Sequence, residues 1–155
     1  MGKFVVGIGN VLLRDEGVGC HVAQALEGVP LPDAEVIDGG TCPDLLQLVA
    51  DADKLVIVDA VRGGGVPGQI YRFRPEDIEM ENKRVLSLHD IGLIDNLKLA
   101  QLRCNVGETV IIGVEPRELG WGLELSPELE EKMPQIIDVV LDELNNTKPK
   151  GETKC

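Results

Sequence analysis

The sequence predicts an α/β fold: a three-layer sandwich in which helices flank a mostly parallel central sheet. Short apolar runs alternate with helical patterns along the chain. The run K-L-V-I-V-D at 54–59 is apolar almost throughout, as expected of a parallel strand buried on both faces. With 155 residues, 43% of them hydrophobic, the chain is long enough for one domain. We place that domain at 1–145 and a polar C-terminal tail at 146–155.

The elements follow from periodicity and from end signals. Strands are predicted at 3–7, 34–38, 54–59, 69–74 and 109–114. Helices are predicted at 17–26, from 43 to about 52, from near 89 to 104, and from 127 onward. The last helix has Ser126 as its predicted N-cap and Pro127 at its first position.

Charge and cysteine content exclude several classes of partner. The formal net charge of -12 repels a phosphate backbone, so no nucleic-acid partner is expected. No apolar stretch approaches the length of a membrane span, so no membrane partner is expected either. The four cysteines are scattered and form no C-x-x-C, which is typical of free thiols in a reducing compartment. These features predict a cytoplasmic protein.

The stretch G-I-G-N-V-L-L-R-D-E-G-V-G at 7–19 resembles a nucleotide-binding turn but departs from it. Its spacing is not G-x-G-x-x-G, and Asp15 and Glu16 lie where a phosphate would bind. We interpret Asp15 as neutralising the positive end of the following helix. The glycines at 63–65 and Gly68 are not followed by P-loop residues, and we expect a mobile loop that admits a peptide. A small nucleotide-binding domain is therefore disfavoured.

Three polar residues lie where ligands bind in parallel sheets, beyond the carboxyl ends of the strands. They are Glu16, Asp59 and His89. Two carboxylates and one imidazole suit a borderline divalent metal ion. The residue pattern leaves alternatives open, because Glu16 can also neutralise a helix end and His89 can simply be packed or solvated. The other histidine, His21, is expected to be a surface or partly buried helix residue.

Seven segments, in order, resemble the hydrogenase maturation proteases. The opening motif at 7–19 is similar to that family's G-x-G-N-x-L-x-x-D-[DE]-G-x-G. The others are D-G-G-T at 38–41, L-V-I-V-D-A at 55–60, V-P-G-Q-I-Y-R-F-R-P-E-D-I at 66–78, S-L-H-D-I-G-L at 87–93, G-V-E-P at 113–116 and L-S-P-E-L at 125–129. Together they extend over nearly all of residues 4–144.

The resemblance implies a function. Members of this family remove a short C-terminal peptide from the large-subunit precursor of a [NiFe] hydrogenase after nickel has been inserted. The implied nickel-contacting and catalytic residues are Glu16, Asp59 and His89, with the nickel belonging to the precursor rather than to the protease. The segment Asp38, Gly39, Gly40 and Thr41 is implied to contact the substrate. The competing interpretation is a non-enzymatic nickel carrier or escort for the precursor.

Two features bear on which precursor is cut. After D-G-G-T this chain continues with Cys42-Pro43-Asp44, where many members of the family have Gly-Leu. Trp121 lies in a segment where it either contacts a partner or packs. The segments P-G-Q-I-Y and H-D-I-G-L-I-D-N-L resemble the branch that serves F420-reducing or formate-linked hydrogenases. The family resemblance leaves open whether the metal polarises the scissile carbonyl or lowers the pKa of a water molecule, or whether a carboxylate acts instead as general base, as in an aspartic-type protease.

Overall fold

A computed structural model describes residues 2–31, 33–40, 52–74, 86–87 and 107–146. The chain begins with β1 (Lys3–Ile8), a 3-10 helix (Arg14–Gly17) and α1 (Val18–Leu26). It continues with β2 (Ala34–Gly40), β3 (Lys54–Arg62), β4 (Ile70–Phe73) and β5 (Leu86–Ser87). It closes with β6 (Glu108–Val114) and α2 (Pro127–Asn145). The helices predicted at 43–52 and 89–104 lie outside the described residues, as does the predicted tail beyond Asn146.

Five strands form a sheet in the order β2-β1-β3-β6-β4. The pairs β1–β2, β1–β3 and β3–β6 are parallel, and only β4 runs antiparallel at its edge. The two-residue strand β5, which the sequence did not predict, pairs antiparallel with Val61 and Arg62 at the end of β3. The α/β fold with a mostly parallel sheet is therefore confirmed.

Both faces of the sheet are buried. On one face α1 and α2 pack against alternate strand residues, so that Val22, Leu129 and Ile136 join Val56 and Ile112 in one apolar cluster. The intervening residues of the same strands, among them Val6, Leu55, Ile57 and Ile111, form a second buried cluster on the opposite face. This double burial is why the run at 54–59 is continuously apolar rather than alternating.

A buried ion cluster holds the end of α2 against the amino-terminal ends of the central strands. The Lys54 ammonium, 3% exposed, donates to Glu143 Oε2 at 2.7 Å and to the Asn146 carbonyl at 2.5 Å. It also pairs with Glu108 Oε1 at 3.1 Å, and Arg72 pairs with the second oxygen of Glu143. Because this cluster lies at the other end of the sheet, it stabilises the fold without facing the candidate site.

Candidate functional site

The carboxyl ends of β1, β2, β3 and β6 lie along one edge of the sheet, since these strands are parallel. The segment after β1 turns back on itself at this edge. Gly9 has φ +148°, and a Cβ there would lie 2.1 Å from the Glu16 carbonyl oxygen. A Cβ on Gly17 would lie 2.7 Å from Val11 Cα. The glycines are therefore needed for the close packing of the turn against the 3-10 helix, rather than for the approach of a phosphate.

The structure brings Glu16 and Asp59 to the same edge. Glu16 is half-buried in the 3-10 helix, which packs against β3. Asp59 lies within β3 opposite Gly113 of β6 and is fully buried, and its Oδ1 accepts a hydrogen bond from the Ala60 amide at 2.8 Å. His89, the third predicted residue, lies outside the described residues. Within the described ranges alone, no three His, Cys, Asp or Glu side chains are grouped as a metal site requires.

The predicted substrate-contacting segment lies beside the glycine turn. The Gly40 carbonyl accepts a hydrogen bond from the Gly9 amide at 2.9 Å. Asp38 is exposed, and its Oδ2 accepts from Gln24 Nε2 of α1 at 3.1 Å. Gly39 lies between them in β2, and Thr41 lies outside the described residues. The described part of this segment is thus at the same edge as Glu16 and Asp59.

The Cys20 thiol shows that acidic groups converge here. It is fully buried under the turn and donates to the Gly9 carbonyl with a sulfur–oxygen distance of 3.4 Å. Burial, together with the hydrogen bond and charge of Asp38 and the charge of Asp59, raises the pKa of Cys20 to about 12. Such a thiol stays protonated at neutral pH, so Cys20 is not a nucleophile. The other helix candidate, His21, is partly buried as expected.

Asp15 does not have the role expected from the helix dipole. It is fully buried, and its carboxylate accepts four hydrogen bonds, each of 2.8 Å. The donors are the amides of Arg117, Glu118 and Ser126 and the Ser126 hydroxyl. Ser126 does occupy the N-cap position of α2, but its hydroxyl bonds Asp15 instead of capping the helix. Asp15 therefore joins the segment that carries Glu16 to the segment after β6.

The glycine-rich loop after β3 is fastened by Glu115, a residue the sequence interpretation missed. Glu115 Oε1 accepts from the amides of Gly63 at 2.8 Å and Gly65 at 3.2 Å, and from the Tyr71 hydroxyl at 2.6 Å. The Gly68 amide donates to the Glu115 carbonyl at 2.9 Å. The loop is thus hydrogen-bonded to the residue that follows β6, and the expectation that it admits a peptide stays a prediction. The signal was present, because Glu115, like Asp59, follows a buried apolar run.

Comparison with known proteins identifies the family. The family model described as "HycI: Hydrogenase maturation protease" matches residues 20–143. The chain belongs to the hydrogenase maturation protease family. It is 33% identical over 148 residues to the hydrogenase 2 maturation protease of Escherichia coli, covering 92% of this chain and 90% of that protein. It is 32% identical over 142 residues to a putative hydrogenase maturation protease of Methanocaldococcus jannaschii, covering 89% and 90%.

Solved structures of family members share the fold. The hydrogenase maturating endopeptidase HybD of E. coli superposes with a TM-score of 0.82 at 30% identity, covering 94% of this chain and 93% of that one. A hydrogenase 2 maturation peptidase from a Thaumarchaeota archaeon gives a TM-score of 0.70 at 33% identity, covering 93% and 98%. The chain is therefore a hydrogenase maturation protease, and so a peptidase. None of the helices in the described part of the chain has the length and apolar character needed to cross a bilayer.

Proposed function

We propose that this hydrogenase maturation protease removes the C-terminal extension of a [NiFe] hydrogenase large-subunit precursor once nickel has been inserted. One observation carries the proposal. Two carboxylates from separate elements, Glu16 of the 3-10 helix and Asp59 of β3, occur at the edge of the sheet where such folds bind ligands. His89, carried over from the family resemblance, completes the proposed set.

Nickel enters this proposal as part of the substrate. Two carboxylate oxygens and an imidazole nitrogen are donors that suit a borderline divalent ion. Asp59 is fully buried, and charges attract more strongly in such surroundings than in water. A precursor that carries nickel brings a compensating positive charge to Glu16 and Asp59, whereas an empty precursor does not. The protease should therefore bind loaded precursor more tightly than empty precursor, and this difference in binding free energy is the basis of the proposed selection.

Peptide hydrolysis also needs a base for the attacking water, and a carboxylate can serve. Glu16 is the better candidate for contact with bulk water, because it retains partial solvent exposure whereas Asp59 is buried. This assignment corresponds to the aspartic-type mechanism of the sequence interpretation. The exposed Asp38, with Gly39, Gly40 and Thr41, is proposed to contact the precursor near the cut. The F420-reducing branch stays a prediction that rests on the segment resemblance alone.

The test uses cognate precursor with and without nickel and follows precursor mass. The wild-type chain should release a C-terminal peptide from the loaded form only. Glu16→Gln should slow release by about 100-fold or more, the usual contribution of a positioned acid–base group. Asp59→Asn and His89→Ala should each slow release from the loaded precursor, because each removes a proposed contact with the nickel. The matched control is Glu35→Gln, which removes one negative charge from an exposed position of β2 and should cleave normally.

Two results would contradict this proposal in different ways. Equal cleavage of empty and loaded precursor would contradict the role of nickel in recognition but would leave the peptidase activity intact. No cleavage of either form, together with tight nickel binding by the chain alone, would favour a carrier or escort instead.

A further inference from the structure

Three large apolar side chains are exposed near the candidate site. Trp121 is 80% exposed, Leu123 is 64% exposed and Leu12 is 49% exposed. The alternative that Trp121 merely packs is therefore wrong. Grouped apolar exposure of this kind marks an interaction site more often than isolated exposed residues do.

These residues lie on two segments that are joined by their backbones. Leu13 and Gly122 form a parallel bridge, in which the Gly122 amide donates to the Leu12 carbonyl and the Arg14 amide donates to the Gly122 carbonyl, both at 2.9 Å. Leu12 and Trp121 directly precede the two bridged residues, so the bridge brings their backbones side by side. We name Leu12, Arg14, Trp121 and Leu123 the apolar lip.

Arg14 is the charged member of the apolar lip. Its φ of 51° makes it the one non-glycine residue with positive φ in the part of the chain that the structure describes. Its side chain crosses Gly122, where a Cβ would lie 3.0 Å from Arg14 Cγ, and its Nε donates to the Glu124 carbonyl at 3.2 Å. Its two Nη atoms bond no described residue. A strained conformation held at a partly exposed position is the kind of outlier that points to function.

The apolar lip is pre-ordered by Asp15. The four hydrogen bonds of Asp15 fix residues on both sides of Trp121, namely Arg117, Glu118 and Ser126. A surface that is already in place loses little conformational entropy on binding. The 3-10 helix that begins with Arg14 also carries Glu16, so the apolar lip and the candidate site share this element.

We infer that the apolar lip docks the large-subunit precursor through a segment of the precursor that carries a large apolar side chain next to a carboxylate. This inference rests on the proposed function. The apolar part follows from Trp121, since tryptophan and arginine are the residues most enriched where binding energy concentrates. The carboxylate follows from Arg14, whose guanidinium has donors in a planar fork. The neighbouring Arg117 is already paired with Glu128 at 2.6 Å and is not available in the same way.

The test measures precursor affinity and cleavage kinetics together. Trp121→Ala should weaken binding of nickel-loaded precursor and raise KM by about tenfold or more, with kcat retained at saturating precursor. Arg14→Gln should raise KM less, and its effect should shrink at high salt because the lost contact is between charges near the surface. The controls are Val29→Ala, an exposed apolar residue beyond the end of α1, and Arg117→Gln, and both should bind as wild type does.

A direct readout is available because the chain has a single tryptophan. With 5-fluorotryptophan incorporated, the one fluorine resonance reports on Trp121. The difference between its chemical shifts in H2O and in D2O reports solvent exposure. This difference should be large in the free protein and should fall when precursor is added. Cleavage of the precursor by a protein whose fluorine resonance stays solvent-exposed would overturn the inference.

The outcomes separate this inference from the proposed function. Normal cleavage by Trp121→Ala with unchanged KM overturns docking at the apolar lip but leaves the proposed peptidase activity intact. Precursor binding without cleavage, lost in Trp121→Ala, supports docking and contradicts the proposed activity. A wild-type chain that neither binds nor cleaves precursor overturns both. If the wild-type chain forms a dimer that Trp121→Ala abolishes, while precursor affinity is unchanged, then a second copy of the chain occupies the apolar lip and the inference is overturned.

Discussion

Substituting Asp15 by alanine tests whether the buried carboxylate, rather than helix-dipole neutralisation, determines the local structure. The change removes the acceptor of four hydrogen bonds. If Asp15 acted only on the helix dipole, its loss would cost less than about 1 kcal/mol, since that is the usual size of the dipole effect at a surface.

The structure gives a larger magnitude. The amides of Arg117 and Glu118 belong to residues that retain exposure and can bond water instead. Ser126 is fully buried, so its amide and hydroxyl would both lose their partner. A buried donor left without a partner costs about 1–3 kcal/mol. Two such donors give roughly 4 kcal/mol for Asp15→Ala. In Asp15→Asn the amide oxygen can still accept from the three donors that bond Oδ2, and only the Ser126 amide loses its partner. The loss in free energy of unfolding should be about half that of Asp15→Ala.

The assay is urea unfolding followed by far-UV circular dichroism, because the exposed Trp121 changes its surroundings little on unfolding. In thermal unfolding, the loss for Asp15→Ala corresponds to roughly 8–16 °C in Tm for a domain of this size. The control is Asp138→Ala, an exposed acid on α2, which should change stability by less than about 0.5 kcal/mol. A loss below about 1 kcal/mol for Asp15→Ala would refute the reasoning.

Two further predictions concern the fold. Burial alone raises the pKa of Glu143, but hydrogen bonds and charge from Arg72 and Lys54 outweigh it, and the pKa lies below the ordinary value of 4.5. Because the folded state binds this proton more weakly, the stabilisation is complete above pH ~4.5 and is lost as the pH falls through the folded pKa. Glu143→Gln should therefore be less stable than wild type to urea at pH ~7, and the difference should shrink by pH ~3; a gap that widens in acid would contradict this. In Gly19→Ala the new Cβ would lie 2.1 Å from a carbonyl oxygen of β3, so the free energy of unfolding measured in urea should fall by about 3 kcal/mol. The control is Gly28→Ala, whose new Cβ would have nothing within 4 Å and which should unfold almost as wild type does.

The sequence predicted the main strands of the sheet because each has a local signature. The run at 54–59 was predicted as a buried parallel strand, and β3 begins at Lys54 as expected and extends to Arg62. The predicted start of the first helix at 17 is one residue early, because Arg14–Gly17 first forms a 3-10 helix. The two residues of β5 are too short to show a period, so no sequence pattern could reveal them.

The candidate site was predicted in part. Glu16 and Asp59 could be selected because each follows or closes an element whose carboxyl end is predictable, and the structure places both at one edge of the sheet. Asp15 was misinterpreted because its only visible context was the helix that follows it. The same limit applied to Glu115, whose contacts with Gly63 and Tyr71 depend on β3, β4 and β6 being assembled.

By itself, the sequence determined the elements and the chemistry that this chain can supply: apolar runs that must be buried, glycines that permit a tight turn, and acids at the strand ends. Only the tertiary structure decided what each acid does. The hydrogen-bond donors to Asp15 lie 102 to 111 residues away along the chain. A carboxylate is the same chemical group in the sequence whether it faces water, a metal or buried amides in the folded protein. Its role is therefore set by neighbours that folding alone brings within hydrogen-bonding distance.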